Sequence, residues 1–288
     1  MEVRTRTLNP QRVLVVAAFL FYAFFLFCVN TSQLFASTAK DVGPTYLYNF
    51  NSSGVLAEVG NAAESWSPYW WVNSGGGMVI KNGRGSTLVG DIPTTDIWNK
   101  LYASSNPQDT DNGLHPQNIF RLITRSKWQD ARQEAYFVIK KDNLSDSSNR
   151  NQSNGLLLFN RYQDSGTLYY TGVRVDGSAI IKKKLNGTYY TLAEIKGLYP
   201  GNYNHDSNPN LLPKNKWIGL RSEVINEANG SVRIKLYTDN GWTGKWKLVA
   251  DVLDNGSKWG KPIIEAGYGG IRTDFMDVEF ENFRFRSI

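Results

Sequence analysis

Two patterns of hydrophobic residues divide the chain. From Val13 to Val29 it reads VLVVAAFLFYAFFLFCV, apolar on all sides and free of charge and proline. Beyond residue 40, apolar and polar positions alternate in short runs, the period of a strand with one buried face. In Arg132–Lys140, Ala135, Phe137 and Ile139 share one side, while Arg132, Glu134 and Tyr136 share the other. In Trp217–Val224, Ile218, Leu220 and Val224 oppose Trp217, Arg221 and Glu223. In Val232–Tyr237, Val232, Ile234 and Leu236 oppose Arg233, Lys235 and Tyr237. Near the end, Val278 and Phe280 oppose Asp277, Glu279 and Glu281, and the phase then slips to Phe283 and Phe285. That slip predicts a β-bulge near Glu281-Asn282.

Further strands are predicted at Leu156–Arg161, Leu168–Val175, Ala179–Leu185 and Thr188–Ala193. The last two flank Asn186-Gly187, the preferred dipeptide of a tight hairpin. Ala103–Pro116 reads as a long polar loop, and no helix is expected in the body. Many short strands with one apolar face each require two antiparallel sheets packed face to face. The expected fold is therefore an all-β, two-sheet antiparallel sandwich preceded by one N-terminal hydrophobic helix.

The apolar run decides location. Arg4, Arg6 and Arg12 precede it and no basic residue follows closely, which places the N-terminus in the cytoplasm and the body across a membrane. Seventeen residues fall between a signal-peptide core and a full helical span of about twenty. Ser37-Thr38-Ala39 offers the small residues a signal peptidase needs. Residues 1–39 are thus a signal peptide or an uncleaved membrane anchor, and residues 40–288 are the sandwich domain, secreted or anchored. Seven Asn-x-Ser/Thr triplets, at Asn30, Asn51, Asn143, Asn151, Asn186, Asn229 and Asn255, agree with an extracytoplasmic surface.

Composition narrows the chemistry. The single cysteine, Cys28, lies in the apolar run, so the body has neither a disulfide nor a thiolate metal site. The net charge of +6 is partly spent on the N-terminal arginines, and no basic face suited to nucleic acid emerges. The densest cluster, Lys182-Lys183-Lys184, reads as a solvated strand edge that discourages sheet-to-sheet aggregation.

Two stretches carry a family likeness. Gly270-Ile271-Arg272-Thr273-Asp274-Phe275-Met276-Asp277-Val278-Glu279-Phe280-Glu281-Asn282-Phe283 resembles the final strand of concanavalin A-like lectin/glucanase jelly rolls, especially their LamG-like branch. Trp217–Arg221 followed by Val232–Tyr237 is similar to a mid-domain strand pair of that superfamily. The resemblance covers about residues 45–288 and concerns architecture more than activity. It implies that the two-sheet antiparallel sandwich is a jelly roll, and that it binds or cleaves sugar. Glucanases of this type carry Glu-x-Asp-x-x-Glu on one strand, whereas Asp277-Val278-Glu279-Phe280-Glu281 has another order and spacing. Alginate-lyase-like members carry Arg-x-Glu-Leu and Gln-x-His strands. Arg132-Gln133-Glu134-Ala135 partly matches the first, and no Gln-x-His exists.

For a carbohydrate-binding module the polar strand faces supply Arg132, Glu134, Tyr136, Tyr170, Arg174, Trp217, Arg221 and Glu223. The alternative for the same residues is a solvated outer face laced with salt bridges. Trp66-Ser67-Pro68-Tyr69-Trp70-Trp71 is expected to plug one end of the sandwich rather than to form a sugar platform. No cofactor is required. A structural calcium of the kind sandwiches hold would draw on Asp274 and Asp277, or on Asp109 and Asp111, against a plainer role as turn-capping acids. A uronate lyase would use Arg132 to neutralise the carboxylate and Tyr136, Tyr203 or His205 as base, and a glycosidase would pair Glu134 with Glu223. Three functions stay open: a glycan-binding protein of the surface or envelope, a polysaccharide-cleaving enzyme, and a structural envelope protein that binds another protein. The partners expected are a polysaccharide or glycan, the membrane if the N-terminal segment is kept, and no nucleic acid. The location of Arg132, Glu134, Tyr136, Arg174 and Arg221, in one groove or across an open face, separates these readings.

Overall fold

The computed structural model describes residues 45–288. Val13–Val29 and the expected N-terminal helix lie outside them; among the described residues no helix is long and apolar enough to cross a membrane. Gly43–Ile288 is one compact unit. Its strands are β1 (Thr45–Tyr48), β2 (Gly54–Ala57), β3 (Trp70–Ser74), β4 (Gly77–Lys81), β5 (Arg84–Ser86), β6 (Ile119–Trp128), β7 (Ala131–Asp142) and β8 (Gly155–Asp164). Then follow β9 (Thr167–Arg174), β10 (Ala179–Leu185), β11 (Thr188–Ile195), β12 (Trp217–Asn226), β13 (Val232–Asn240), β14 (Lys247–Asp254), β15 (Gly267–Asp274) and β16 (Met276–Ser287).

Two antiparallel sheets form the sandwich. One runs β14-β13-β12-β7-β16-β5-β4-β2, with β1 also on β16, and the other runs β11-β10-β9-β8-β15-β6-β3. The two last strands in sequence enter the middle of the two sheets, β15 between β8 and β6, β16 between β7 and β5. The stretch with the family likeness is therefore the centre of the molecule.

Alternation places the core as the sequence pattern predicts. Ala135, Phe137 and Ile139 of β7, Ile218, Leu220 and Val224 of β12, and Val232, Ile234 and Leu236 of β13 all point between the sheets. Phe280 and Phe283 of β16 meet the other apolar elements there, with Phe283 4.6 Å edge-on to Trp70 and Phe280 5.3 Å from Phe50. Truncating such a ring costs about 3–5 kcal/mol. The predicted bulge is present: pairing of β16 with β7 shifts between Glu281 and Arg284, and Asn282 has φ 53°. Asn186 and Gly187 both take positive φ, as a two-residue hairpin turn demands.

Two expectations are corrected. Ile97–Ser105 forms an α-helix, α1, capped by Asp96, which accepts a hydrogen bond from the Trp98 N–H at 2.7 Å. Its apolar spacing is misleading, because Ile97 is 71% and Leu101 43% exposed while Asn99 and Tyr102 are buried. The lysine triplet is not a solvated edge either. Lys183 points between the sheets with its side chain fully buried, and pairs with the equally buried Asp254 at 2.8 Å.

Candidate functional site

The eight residues expected to bind sugar fall on two different outward faces. Arg132, Glu134 and Tyr136 of β7 and Trp217, Arg221 and Glu223 of β12 share the outer face of the nine-stranded sheet. The register sets Arg132 opposite Glu223 and Glu134 opposite Arg221. Arg132 Nε donates to Glu223 at 2.7 Å and Arg221 Nε to Glu134 at 2.6 Å. The Tyr237 hydroxyl also donates to Glu223, at 3.0 Å. Tyr136 donates to Asp239 at 2.8 Å and stacks on Trp242, which Trp217 meets edge-on; Arg221 lies 4.1 Å over the Trp246 ring. Burial and Asp239 push the Tyr136 phenol up. Each of these six side chains thus already has a partner in the β7, β12, β13 and β13–β14 segments. A cavity of ≈ 180 Å³ remains between Arg132, Glu134, Arg221, Arg284, Arg286 and Thr45.

The seven-stranded sheet presents a different surface. Its register aligns Lys182, Tyr170, Phe159, Gly270, Ile123 and Trp71 in one row across six strands. The next row runs through Ile180, Gly172, Leu157, Arg272 and Arg121. These positions face away from the core, yet Leu157, Phe159, Tyr170 and Ile180 are 7%, 1%, 5% and 1% exposed. They form a second apolar cluster of their own. Outward residues this dry must be walled in. The walls are the polar segment after α1 and the Asn149–Asn154 segment, and they enclose a cavity of ≈ 370 Å³. Its floor is Leu157, Tyr170, Ile180, Lys182 and Arg272; its walls carry Asp109, Asn149, Asn151, Ser153 and Asn154; Tyr189 of β11 stands at the lip. A second cavity of ≈ 200 Å³ shares Asp109, Tyr170, Tyr189 and Arg272 and adds Arg121 and Lys184. Together they make a trough.

The acidic run in the long loop holds the two walls together. Asp109 accepts hydrogen bonds from Ser147 Oγ at 2.6 Å and Asn149 Nδ2 at 3.0 Å; Asp111 accepts from Ser145 Oγ at 2.5 Å and lies 2.6 Å from His115 Nδ1. Burial raises the Asp109 pKa, but its hydrogen bonds outweigh this and hold it below the ordinary value. Asp277 is fully buried and accepts from Gly90 N, Gln117 Nε2 and Asn143 Nδ2 at 2.9–3.1 Å. Asp274 accepts from Arg272 Nε at 2.7 Å, and its second oxygen is buried without a partner. Among the described residues no three His, Cys, Asp or Glu side chains gather around one point. Asp109 and Asp274 share the trough; Asp111 and Asp277 serve separate hydrogen-bond networks. Neither expected calcium pair, Asp274 with Asp277 or Asp109 with Asp111, is joined by a third such side chain among the described residues.

Within the trough, burial works to lower the Arg272 pKa, but Asp274 and the Tyr170 and Tyr189 phenols raise it overall. Tyr170 and Tyr189 lie ring to ring at 6.2 Å. Burial pushes the Tyr170 phenol up, whereas Tyr189, where Arg272 and Lys184 outweigh burial, is held below its ordinary value. Arg174 sits at one end of the same face, bound to Asp176 and Glu194 at 2.9 Å and to the Gln152 carbonyl at 3.0 Å. Four of the five discriminating residues thus lie on one sheet and Arg174 on the other. Tyr203 lines a small adjoining void beside Arg150 and Asn154, and the His205 ring lies beside Asp206 at 2.5 Å. In the aromatic hexapeptide Trp70 is core, Trp71 ends the trough row with its Nε1 donating to Val59 O at 2.9 Å, and Trp66 stays 65% exposed.

The trough brings together Tyr170, Asp109 and Asp274, named from sequence, with Arg121, Lys182, Lys184, Tyr189 and Arg272, which sequence reasoning missed. Period-two alternation along β10 was the available signal, since it puts Lys182 and Lys184 on the face of Ile180 and opposite Lys183.

No family model and no curated protein matches the chain. Among solved structures it is similar to carbohydrate binding module CBM66 from Bacillus subtilis, at 19% identity over 59% of this chain and 83% of that one, TM-score 0.40. It is also similar to a Bacillus licheniformis β-glucanase, at 10% identity over 85% and 99%, TM-score 0.44. A Bacillus subtilis protein of unknown function with a galectin-like fold gives 12% identity over 85% and 97%, TM-score 0.45. These likenesses concern the fold alone.

Proposed function

We propose that the chain is an extracytoplasmic carbohydrate-binding protein that holds its saccharide in the trough of the seven-stranded sheet. The observation that carries this is the trough's lining: paired Tyr170 and Tyr189 rings beside Asn149, Asn151 and Asn154 around a cavity of ≈ 370 Å³. Sugar rings stack an apolar face on aromatics and give their hydroxyls to amides, and ligand sites run from about 300 to 1,000 Å³. On the nine-stranded face Arg132, Glu134, Arg221 and Glu223 are mutually paired, which gives them the role of a solvated ladder. Export rests on the uncharged run Val13–Val29 behind basic residues.

A cleaving activity is the second reading, favoured by Tyr189. Flanked by Lys184 and Arg272, it loses its proton more readily than Tyr170 and suits the role of base next to cations that neutralise a uronate.

The experiment is retention of residues 43–288 on immobilised neutral and uronic-acid polysaccharides, with absorbance of unsaturated products recorded in parallel. Retention lost in Tyr189→Ala, with no product formed, is the expected result. Product that vanishes in Tyr189→Phe would make the chain a lyase. Retention unchanged in Tyr189→Ala would move the site elsewhere.

A further inference from the structure

The charges that line the trough do not cancel. Arg272 has Asp274, and Arg174 is shared by Asp176 and Glu194. Asp109, hydrogen-bonded to the neutral Ser147 and Asn149, adds one more negative charge to the lining. Lys182 lines the larger cavity and Arg121 and Lys184 the smaller one beside it, and among the described residues none of the three is in an ion pair, so with Arg272 four cations face the two carboxylates of Asp109 and Asp274.

Nor are these three cations spread out as isolated surface charges usually are. Arg121 on β6 stands directly across from Arg272 on β15, and like charges at paired positions destabilise a sheet. Lys182 and Lys184 are two residues apart on β10, about 7 Å along the strand. Both turn toward one ring, their ammonium groups 5.3 Å and 4.6 Å from the centre of Tyr189. Burial and the nearby Arg174 lower the Lys182 pKa, so its charge sits in an unfavourable field until an anion enters. On the other outward face the arginines of β7 and β12 stand opposite glutamates. The cavity on that face is basic too, with Arg132, Arg221, Arg284 and Arg286 around Glu134, but no aromatic ring lines it; among the described residues the trough sets its excess cations beside Tyr170 and Tyr189.

We propose that the trough recognises an anionic glycan, one whose sugars carry carboxylate or sulfate groups, with Lys182, Lys184 and Arg121 neutralising those groups while Tyr170 and Tyr189 take the ring faces. This rests on the saccharide reading above and adds the charge of the ligand.

The test is titration calorimetry of residues 43–288 with a uronate oligosaccharide, its carboxyl-reduced neutral counterpart, a sulfated oligosaccharide, and single-stranded DNA of equal charge. The uronate or the sulfated sugar should bind at least about tenfold more tightly than the neutral one, with affinity falling as salt rises from about 0.05 to about 0.5 M. Which of the two binds tighter identifies the anion. Lys182→Gln with Lys184→Gln should erase most of that preference at an unchanged melting temperature. Lys81→Gln with Lys235→Gln, the same charge change on strands of the other sheet, should leave it intact. Neutral and charged sugars binding equally would overturn the inference and leave the saccharide reading standing. No sugar binding at all would fell that reading itself. DNA bound as tightly as the charged sugar, and equally weakened by the double variant, would mean charge alone is read and would overturn the glycan assignment.

Discussion

Lys183→Met tests how the trough's cations are held in place. Lys183 is fully buried, its Nζ donating to Asp254 Oδ2 at 2.8 Å and to the Gly260 carbonyl at 2.8 Å. The Tyr169 hydroxyl donates to the same Asp254 oxygen at 2.7 Å and accepts from Ile263 N at 3.0 Å. Methionine fills similar space but removes the cation, leaving Asp254 buried with Tyr169 and a longer bond from Gly256 N at 3.3 Å. Stripping one partner from a buried ion pair costs about 3–5 kcal/mol, because the remaining charge is uncompensated. In a domain of this size each kcal/mol lowers Tm by about 2–4 °C, so a fall of about 6–20 °C is expected. Thermal and urea unfolding followed by tryptophan fluorescence measure it. Lys183→Met with Asp254→Leu should recover most of the loss, since an apolar replacement of the whole pair is close to neutral. Lys184→Met, in the trough, should change stability by less than about 0.5 kcal/mol. A loss under about 1 kcal/mol for Lys183→Met, or a double variant as damaged as the sum of the singles, would refute the buried network.

Three other changes probe neighbouring parts. Arg221→Ala leaves Glu134 with only Arg284, 3.9 Å away, and should cost about 1–2 kcal/mol in urea unfolding while leaving polysaccharide retention intact. Gly270→Ala should lose both stability, by about 1–3 kcal/mol or more, and sugar retention. Gly270 has φ 155° in the middle of the trough floor, and an added Cβ would come within 2.2 Å of the Leu122 carbonyl oxygen. The Tyr102 phenol is pushed up to about 12 by burial and by Glu58, to which it donates at 2.6 Å. Because the folded value exceeds the ordinary 10.0, its contribution is complete below pH 10 and is lost as pH rises toward about 12. The stability gap between the protein and Tyr102→Phe should therefore shrink across that window, and a widening gap would contradict it.

The sandwich was legible because most strands bury one face, which period-two alternation reports directly. The bulge near Asn282 and the hairpin at Asn186-Gly187 were legible for the same local reasons. The site was harder to read, and the cause is physical. Arg and Glu alternate visibly on β7 and β12 because that face meets water, so polar strand faces drew attention to the nine-stranded sheet. The trough floor is walled over, so Leu156-Leu157-Leu158-Phe159 is apolar on both faces and hides which residues face the ligand. Lys183 defeats a rule that puts lysine outside, and helix α1 defeats apolar spacing by burying Asn99 instead of Ile97. Which strands share a sheet, and hence that Arg272 lies beside Arg121 and lines a cavity with Lys182, depends on pairings between strands far apart in sequence.

The most direct measurement is a crystal structure of residues 43–288 grown with a bound uronate oligosaccharide. Sugar density over Tyr170 and Tyr189, with its acid groups at Lys182, Lys184 or Arg121, is the result expected. Density on the nine-stranded face, among Arg132, Glu134 and Arg221, with the trough empty, would contradict it.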